Sequence, residues 1–302
     1  MKDTLIVLSG PTGVGKTSLS VELAEHFGSD IISCDSRQIY REMVIGTAAP
    51  DIQQLERVKH HFVRFLTVNE YYSASLFERD VLALLPELFA KNPVVVMTGG
   101  SMLYTDAVCK GIDDIPDTDP AVRLKYLNKY KSEGVEGLRL ALKLLDPVHY
   151  SKVDLRNPRR LMRALEITES TGKPYSSFLT AEKRERDFRI LKVGITLDRS
   201  ELYSRIDSRI DKMIAAGLEN EVRALVQYRG LNALSTVGYS EMFRYFDGEI
   251  TFEQAVGLIR RNTRRYAKKQ LTWWGKDKEI KWFNAGEPSE IIKWIDNQVR
   301  AM

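Results

Sequence analysis

The stretch Thr4-Leu5-Ile6-Val7-Leu8-Ser9-Gly10-Pro11-Thr12-Gly13-Val14-Gly15-Lys16-Thr17 decides the fold. Residues 4–8 are a short apolar run, the mark of a buried strand. Gly10 to Thr17 fit G-x-x-x-x-G-K-[ST], a loop whose backbone N–H groups turn inward to cradle phosphate. Lys16 adds a point charge, and the Thr17 hydroxyl is a ligand for Mg²⁺. Residues 16–27 then carry Leu19, Leu23 and Phe27 on one side, as an amphipathic helix does. Strand, phosphate loop and helix in that order open an α/β protein with a P-loop NTPase-like parallel sheet wound with helices.

Further strands are expected at Asp30-Ile31-Ile32-Ser33, at residues 93–98 and at residues 189–196. In such sheets ligands bind outside the carboxyl ends of the strands. Gly10–Thr17, Asp35–Gln38 and Thr98–Ser101 therefore belong to one crevice. An ordinary P-loop ATPase places an Asp for its metal at the end of an apolar strand. Here Val94-Val95-Val96-Met97 runs into Thr98-Gly99-Gly100-Ser101, with no carboxylate. The nearest candidate is Asp35, after the second strand. The loop by itself indicates a diphosphate or triphosphate without specifying a nucleotide.

Composition changes near residue 112, where the acidic link 113–120 begins and a nearly all-helical block follows. Asn157 is a cap residue, Pro158 sits at the first helical position, and Gly172 is a stop signal. The block reads as a helical insertion domain, 113–188, in a core made of 1–112 and 189–302. Hydrophobic residues make up 43% of the chain and charged residues 28%, which fits a globular protein and excludes long disorder. No apolar run is long enough to span a membrane. Two cysteines, Cys34 and Cys109, give no disulfide framework and suit a reducing cytoplasm. With four histidines they match no zinc spacing.

The net charge of +4 conceals an asymmetry. Residues 150–192 hold 11 Lys/Arg against 6 Asp/Glu, residues 256–281 hold 9 against 2, and the remainder is acidic. Two basic segments on an acidic body point to a polyanionic partner. Arg260, Arg264 and Lys268 recur every four residues, as do Arg261, Arg265 and Lys269, which predicts a broad cationic helix face.

The motifs at 10–17, Asp35-Ser36-Arg37-Gln38-Ile39-Tyr40, Gly46-Thr47-Ala48 and Gly99-Gly100-Ser101 together resemble the tRNA dimethylallyltransferases. The resemblance continues through Asp119-Pro120-x-x-Arg123, Asn157 to Glu166, Arg205 to Met213, Gly217-Leu218-x-x-Glu221 and Val237-Gly238-Tyr239. It ends on Arg264-x-x-Ala267-x-x-Gln270-x-x-Trp273 and covers nearly the whole chain. It implies transfer of the prenyl group of dimethylallyl diphosphate to N6 of adenosine 37 in tRNA, with release of diphosphate. It also implies RNA passing between core and insertion.

Asp35 is then the base, and Thr98 a catalytic residue placed to hydrogen-bond the diphosphate or the target nucleotide. Arg209, or Arg205 one turn earlier, is the arginine on the diphosphate. Gly10, Pro11, Thr12, Gly13, Val14, Gly15, Lys16 and Thr17 hold the diphosphate, with Mg²⁺ at Thr17. The tRNA contacts fall on Asp35, Ser36, Arg37, Gln38, Ser101, Arg123, Arg159, Arg160, Leu161, Met162, Arg163, Arg264 and Lys268. No membrane and no obligate protein partner are expected, and the sequence is compatible with a monomer. A prenyltransferase acting on free adenine nucleotides, a P-loop small-molecule kinase and a non-catalytic RNA-binding protein are the alternatives.

Overall fold

The computed structural model describes residues 2–113, 115, 116, 118–180 and 184–300. Asp114 and Asp117 of the acidic link lie outside them. The chain forms two compact units. One comprises Met1–Lys110 with Glu185–Met302, and the other is Gly111–Arg184.

The first unit is built on a sheet of β1 (Thr4–Ser9), β2 (Ile31–Ser33), β3 (His60–His61), β4 (Val94–Thr98), β5 (Arg189–Thr196) and β6 (Lys281–Asn284). Its order is β3-β2-β4-β1-β5-β6, and all the pairings are parallel. β1 sits between β4 and β5, with Leu8 opposite both Thr98 and Val193. Every residue of β1 and of β4 is buried, as expected of central strands covered by helices on both faces.

Helix α1 (Lys16–Phe27) follows β1 and closes on Gly28, whose φ of 65° places it in the left-handed region. The helices α2 (Ile52–Arg57), α3 (Ala74–Phe89) and α4 (Met102–Lys110) complete the N-terminal half. Ser73 and Asp51 cap α3 and α2 by accepting N–H groups of their first turns.

The second unit contains α5 (Pro120–Leu145), α6 (Pro147–Tyr150) and α7 (Pro158–Thr171). α5 is interrupted at Gly134, whose backbone leaves the helical region. Its core is Tyr126, Leu138 and Leu142 of α5 against Leu161, Ala164 and Leu165 of α7. Leu161 is 0% exposed in that core, so its side chain packs the insertion and does not face RNA.

Asp146 is the polar anchor of this unit and is itself buried. Its carboxylate accepts the N–H of His149 at 2.9 Å, the N–H of Ser176 at 2.7 Å and the hydroxyl of Ser176 at 2.8 Å. Burial works against the charged form, but these donors outweigh it and hold the carboxyl below its ordinary range.

Back in the first unit, α8 (Arg199–Ala215), α9 (Leu218–Ala224), α10 (Tyr239–Phe246), α11 (Phe252–Trp274) and α12 (Pro288–Arg300) close the fold. Asp277 and Glu279 both accept from Lys192 of β5, tying the end of α11 to the sheet. No helix among the described residues is long and apolar enough to cross a membrane.

Asp146→Ala removes three charge-assisted hydrogen bonds and strands their donors. We expect a loss of about 2–3 kcal/mol and a lowered Tm, read by calorimetry. Since the folded carboxyl is depressed, the wild type should lose this contribution as pH falls through its folded value, and the variant should not.

Candidate active site

Three loops leave the sheet at the carboxyl ends of β1, β2 and β4. The first is the phosphate loop, whose Gly15 has φ of 107°, a conformation in which a side chain is strained. Lys16 Nζ donates to the carbonyls of Gly10 at 2.7 Å and Pro11 at 3.0 Å. Burial, with Arg209 nearby, pushes Lys16 down to about 8, while Asp35 acts in the opposite sense. Among the loop amides, Val14 N–H donates to Pro11 and Thr12 N–H to the side chain of Gln270. The Thr12 amide is therefore engaged within the protein, a contact the motif alone does not reveal.

The second loop is clamped to the third by backbone. Cys34 N–H donates to Thr98 at 2.8 Å, and Ser101 N–H donates to Cys34 at 3.2 Å. Gly99 makes this possible, because a Cβ there would lie 2.3 Å from the Cys34 carbonyl carbon. Asp35 Oδ1 accepts the N–H groups of Arg37 at 2.9 Å and Gln38 at 3.4 Å. That is the local turn role Asp commonly plays. Oδ2 accepts no hydrogen bond within the described residues and lies over Gly100, where an added Cβ would stand 2.8 Å from it. One carboxylate oxygen thus fixes the side chain while the other accepts nothing from the described residues.

Ser101 Oγ accepts the Ser36 N–H at 2.8 Å and shares a 2.9 Å hydrogen bond with the Ser36 hydroxyl. The Thr98 hydroxyl donates to Leu8 at 3.1 Å across the sheet and is buried, so only its lone pairs remain to meet a ligand.

A fourth segment, 43–48, contains the Gly46-Thr47-Ala48 motif. The Glu221 carboxylate of α9 accepts the N–H groups of Val44, Ile45 and Gly46 at 2.9, 2.7 and 2.9 Å, and the hydroxyl of Tyr239 at 2.6 Å. Gln38 Nε2 donates to the carbonyls of Thr47 and Ala48 at 3.1 and 3.0 Å. Arg209 reaches the same Thr47 carbonyl at 3.4 Å.

Arg209 is depressed below its ordinary range by burial, with Asp35 opposing, and it lowers Lys16 in turn. Arg205 instead pairs with Glu201 at 2.8 Å and donates to the Val14 carbonyl at 3.4 Å. Of these two arginines, Arg209 is the one electrostatically joined to both Lys16 and Asp35.

The cationic face of α11 is narrower than its periodicity suggests. Arg264 is paired with Asp207 of α8 and Arg260 with Asp211. Arg264 also lies 5.3 Å over the ring of Tyr203. The exposed stripe is Arg261, Arg265, Lys268 and Lys269. Trp274 is buried, while Trp273 is 40% exposed and donates its indole N–H to Asp106.

In the second unit, Asn157 caps α7 by accepting the Arg160 N–H, with Pro158 following it. Arg159 and Arg160 are exposed at that N-terminus. Arg123 and Arg163 flank the buried Glu166, whose carboxyl burial pushes up against their pull. Met162 packs against the core of the unit.

A model of the family described as IPP transferase matches residues 38–277. The chain belongs to the IPP transferase family.

It is 53% identical over 295 residues to tRNA dimethylallyltransferase 1 of Phocaeicola vulgatus, covering 98% of each chain. It is 47% identical to a tRNA dimethylallyltransferase of Christiangramia forsetii, covering 99% of each. Among solved structures, a full-length tRNA isopentenylpyrophosphate transferase from Bacillus halodurans superposes with a TM-score of 0.72 at 33% identity, over 99% of this chain and 98% of that one. A eukaryotic dimethylallyltransferase solved acting on tRNA gives 0.76 at 24% identity over 94% of this chain and 74% of its own, a likeness of fold. These relatives make the chain a transferase, with the α/β fold expected from residues 4–17.

Because Lys16 is charged below about 8 and neutral above, affinity for a diphosphate ester should fall as pH rises through that value. The slope should approach about tenfold per pH unit. Titration calorimetry in magnesium-free buffer reads it, and a flat profile would mean that the ammonium does not touch the anion.

Proposed function

We infer that the chain transfers the dimethylallyl group from dimethylallyl diphosphate to N6 of adenosine 37 in tRNA. The observation that carries this reading is the free Oδ2 of Asp35 standing beside a phosphate loop that lacks an acidic residue at the end of β4. The amine of adenine is a weak nucleophile, so it gains from a positioned base as the C–N bond forms. Asp35 Oδ2 takes the N6 proton while the C–O bond to diphosphate breaks. Lys16, Arg209 and the backbone N–H groups of Gly13, Gly15, Lys16 and Thr17 receive the charge that develops on the leaving group.

Magnesium fits the donor set. The Thr17 hydroxyl makes no side-chain hydrogen bond among the described residues, and Mg²⁺ commonly keeps waters and substrate phosphate oxygens beside few protein ligands. No three His, Cys, Asp or Glu side chains gather as metal ligands among those residues, so Thr17 would hold the ion together with diphosphate oxygens and water. When bound, the ion supplies further positive charge to the leaving group.

The exposed stripe Arg261, Arg265, Lys268 and Lys269, with Arg159 and Arg160 at the start of α7, supplies tRNA phosphate contacts. Ser36, Arg37, Gln38 and Ser101 line the entrance beside Asp35, where the target base must leave its stack. Arg123 and Arg163 serve the RNA from beside Glu166. Arg264 contributes mainly by holding α11 to α8 through Asp207. The reaction draws on residues of a single chain, so a monomer suffices. Two buried free thiols suit a reducing cytoplasm.

Nucleoside mass spectrometry on unmodified tRNA incubated with the chain, Mg²⁺ and dimethylallyl diphosphate tests the reading, with AMP in a parallel tube. N6-prenylated adenosine should form with tRNA alone. Product from AMP alone would move the assignment to free nucleotides. Asp35→Ala should abolish transfer while leaving RNA affinity within about threefold, since its carboxylate does chemistry rather than docking. Lost affinity instead would make Asp35 a recognition residue.

Arg160→Ala should weaken tRNA binding and reduce the slope of log K against log salt by about one. An unchanged slope would mean that the start of α7 meets no phosphate.

A further inference from the structure

Gln270 lies in the last third of α11, about 250 residues from the phosphate loop in sequence, and is 0% exposed. A fully buried glutamine must satisfy both ends of its amide or cost stability. Here the two ends are spent on different loops. Its Oε1 accepts the Thr12 N–H of the phosphate loop at 2.8 Å. Its Nε2 donates to the Gly100 carbonyl at 2.9 Å. The same carbonyl accepts the Tyr266 hydroxyl at 2.8 Å, one turn earlier on α11.

Gly100 in turn lies against Asp35. A Cβ built there would meet Asp35 Oδ2 at 2.8 Å and Gln270 Nε2 at 3.4 Å. One planar amide therefore spans from the cradle of the leaving group to the loop that packs on the base. Only a group with an acceptor at one end and a donor at the other can do this. A carboxylate lacks the donor, and a thioether of the same length satisfies neither end.

We propose that Gln270 is a positioning residue that sets the separation between the diphosphate cradle and the Asp35 loop. Displacement at the allylic carbon needs attacking nitrogen, carbon and departing oxygen held in one geometry. The nitrogen is placed through Asp35 and the oxygen through the phosphate loop. The two half-sites belong to different loops of the sheet, and misplacement on the order of 1 Å costs up to roughly a hundredfold in rate. Gln270 acts through these loops and touches no reacting atom. The inference rests on the roles given above to Asp35 and the phosphate loop.

The test compares wild type with Gln270→Met, Tyr266→Phe and the double variant. It uses unmodified tRNA and dimethylallyl diphosphate and reads steady-state and single-turnover rates alongside Tm. Gln270→Met should lower kcat and the single-turnover rate by roughly tenfold or more, with KM for each substrate within about threefold of wild type. Tyr266→Phe should cost a few-fold, because Gln270 still holds Gly100. The double variant should lose more than the product of the two single effects, because both donors to one carbonyl are then gone.

A Gln270→Met enzyme that turns over at the wild-type rate with only a lowered Tm would make the residue ordinary packing and overturn the proposal. A raised KM for dimethylallyl diphosphate at unchanged kcat would make it a substrate-binding group and also overturn it. If Gln270→Met fails to fold, Gln270→Glu, which keeps an acceptor for Thr12 and loses the donor to Gly100, decides, and an unchanged single-turnover rate there overturns the proposal. Wild type that forms no product rejects the activity itself, whereas a competent wild type with an equally fast Gln270→Met rejects only the bridge.

Discussion

Two backbone hydrogen bonds of Cys34 fix where the carboxylate of the site stands. They carry the pairing of β2 with β4 past the end of β2, from Thr98, the last residue of β4, on to Ser101. The approach is so close that Gly99 admits no side chain. Asp35 follows directly, so its position is inherited from the sheet, and its own Oδ1 hydrogen bonds only set its rotation. A site whose carboxylate hangs from a buried parallel ladder needs little reorganisation when substrate arrives, which is the condition under which fixed charges act most strongly.

Around that carboxylate the charges are arranged against one another. Lys16 and Arg209 are both withdrawn from water and Arg209 disfavours the charge on Lys16, while Asp35 favours both. Two cations crowded in this way are held at a cost to the folded protein, and a bound dianion relieves it. The pattern suits a cradle that must grip a product more highly charged than the substrate as the C–O bond breaks. Glu221 plays a different part. It is a neutralising acceptor for three successive amides, and it keeps the 43–48 segment, and with it the Thr47 carbonyl shared by Gln38 and Arg209, in one conformation.

Much of this was legible in the sequence because local signals carried it. The capping residues Asn157 and Gly172 bound α7, and the phosphate motif placed the start of α1 at Lys16. The crevice at Gly10–Thr17, Asp35 and Thr98–Ser101 followed from the rule that parallel strands present their loops on one side. What escaped was long-range pairing. Helical periodicity gives a face for Arg260 and Arg264, but it does not say that Asp211 and Asp207 of α8 stand opposite. A run of motif residues at 159–163 does not say that Leu161 turns inward. Choosing between Arg205 and Arg209, which share a helix face, needs the position of Lys16. The contacts of Gln270 and Glu221 likewise join segments that are far apart in the chain; both residues stand in the quoted motifs, which do not say what they touch.

The position of the insertion has a consequence for how the chain is made. β1 is complete after Ser9, yet the strand that covers its second edge, β5, begins at Arg189. The whole second unit is synthesised in between. At about 5–20 residues per second, the apolar edge of β1 stays open for roughly ten to forty seconds on a translating ribosome. An uncovered strand edge invites pairing with other chains. Crowded expression should therefore trap this protein while it is being synthesised, at a stage when the finished domain's stability gives no protection, and slower elongation through the insertion would lengthen the exposure.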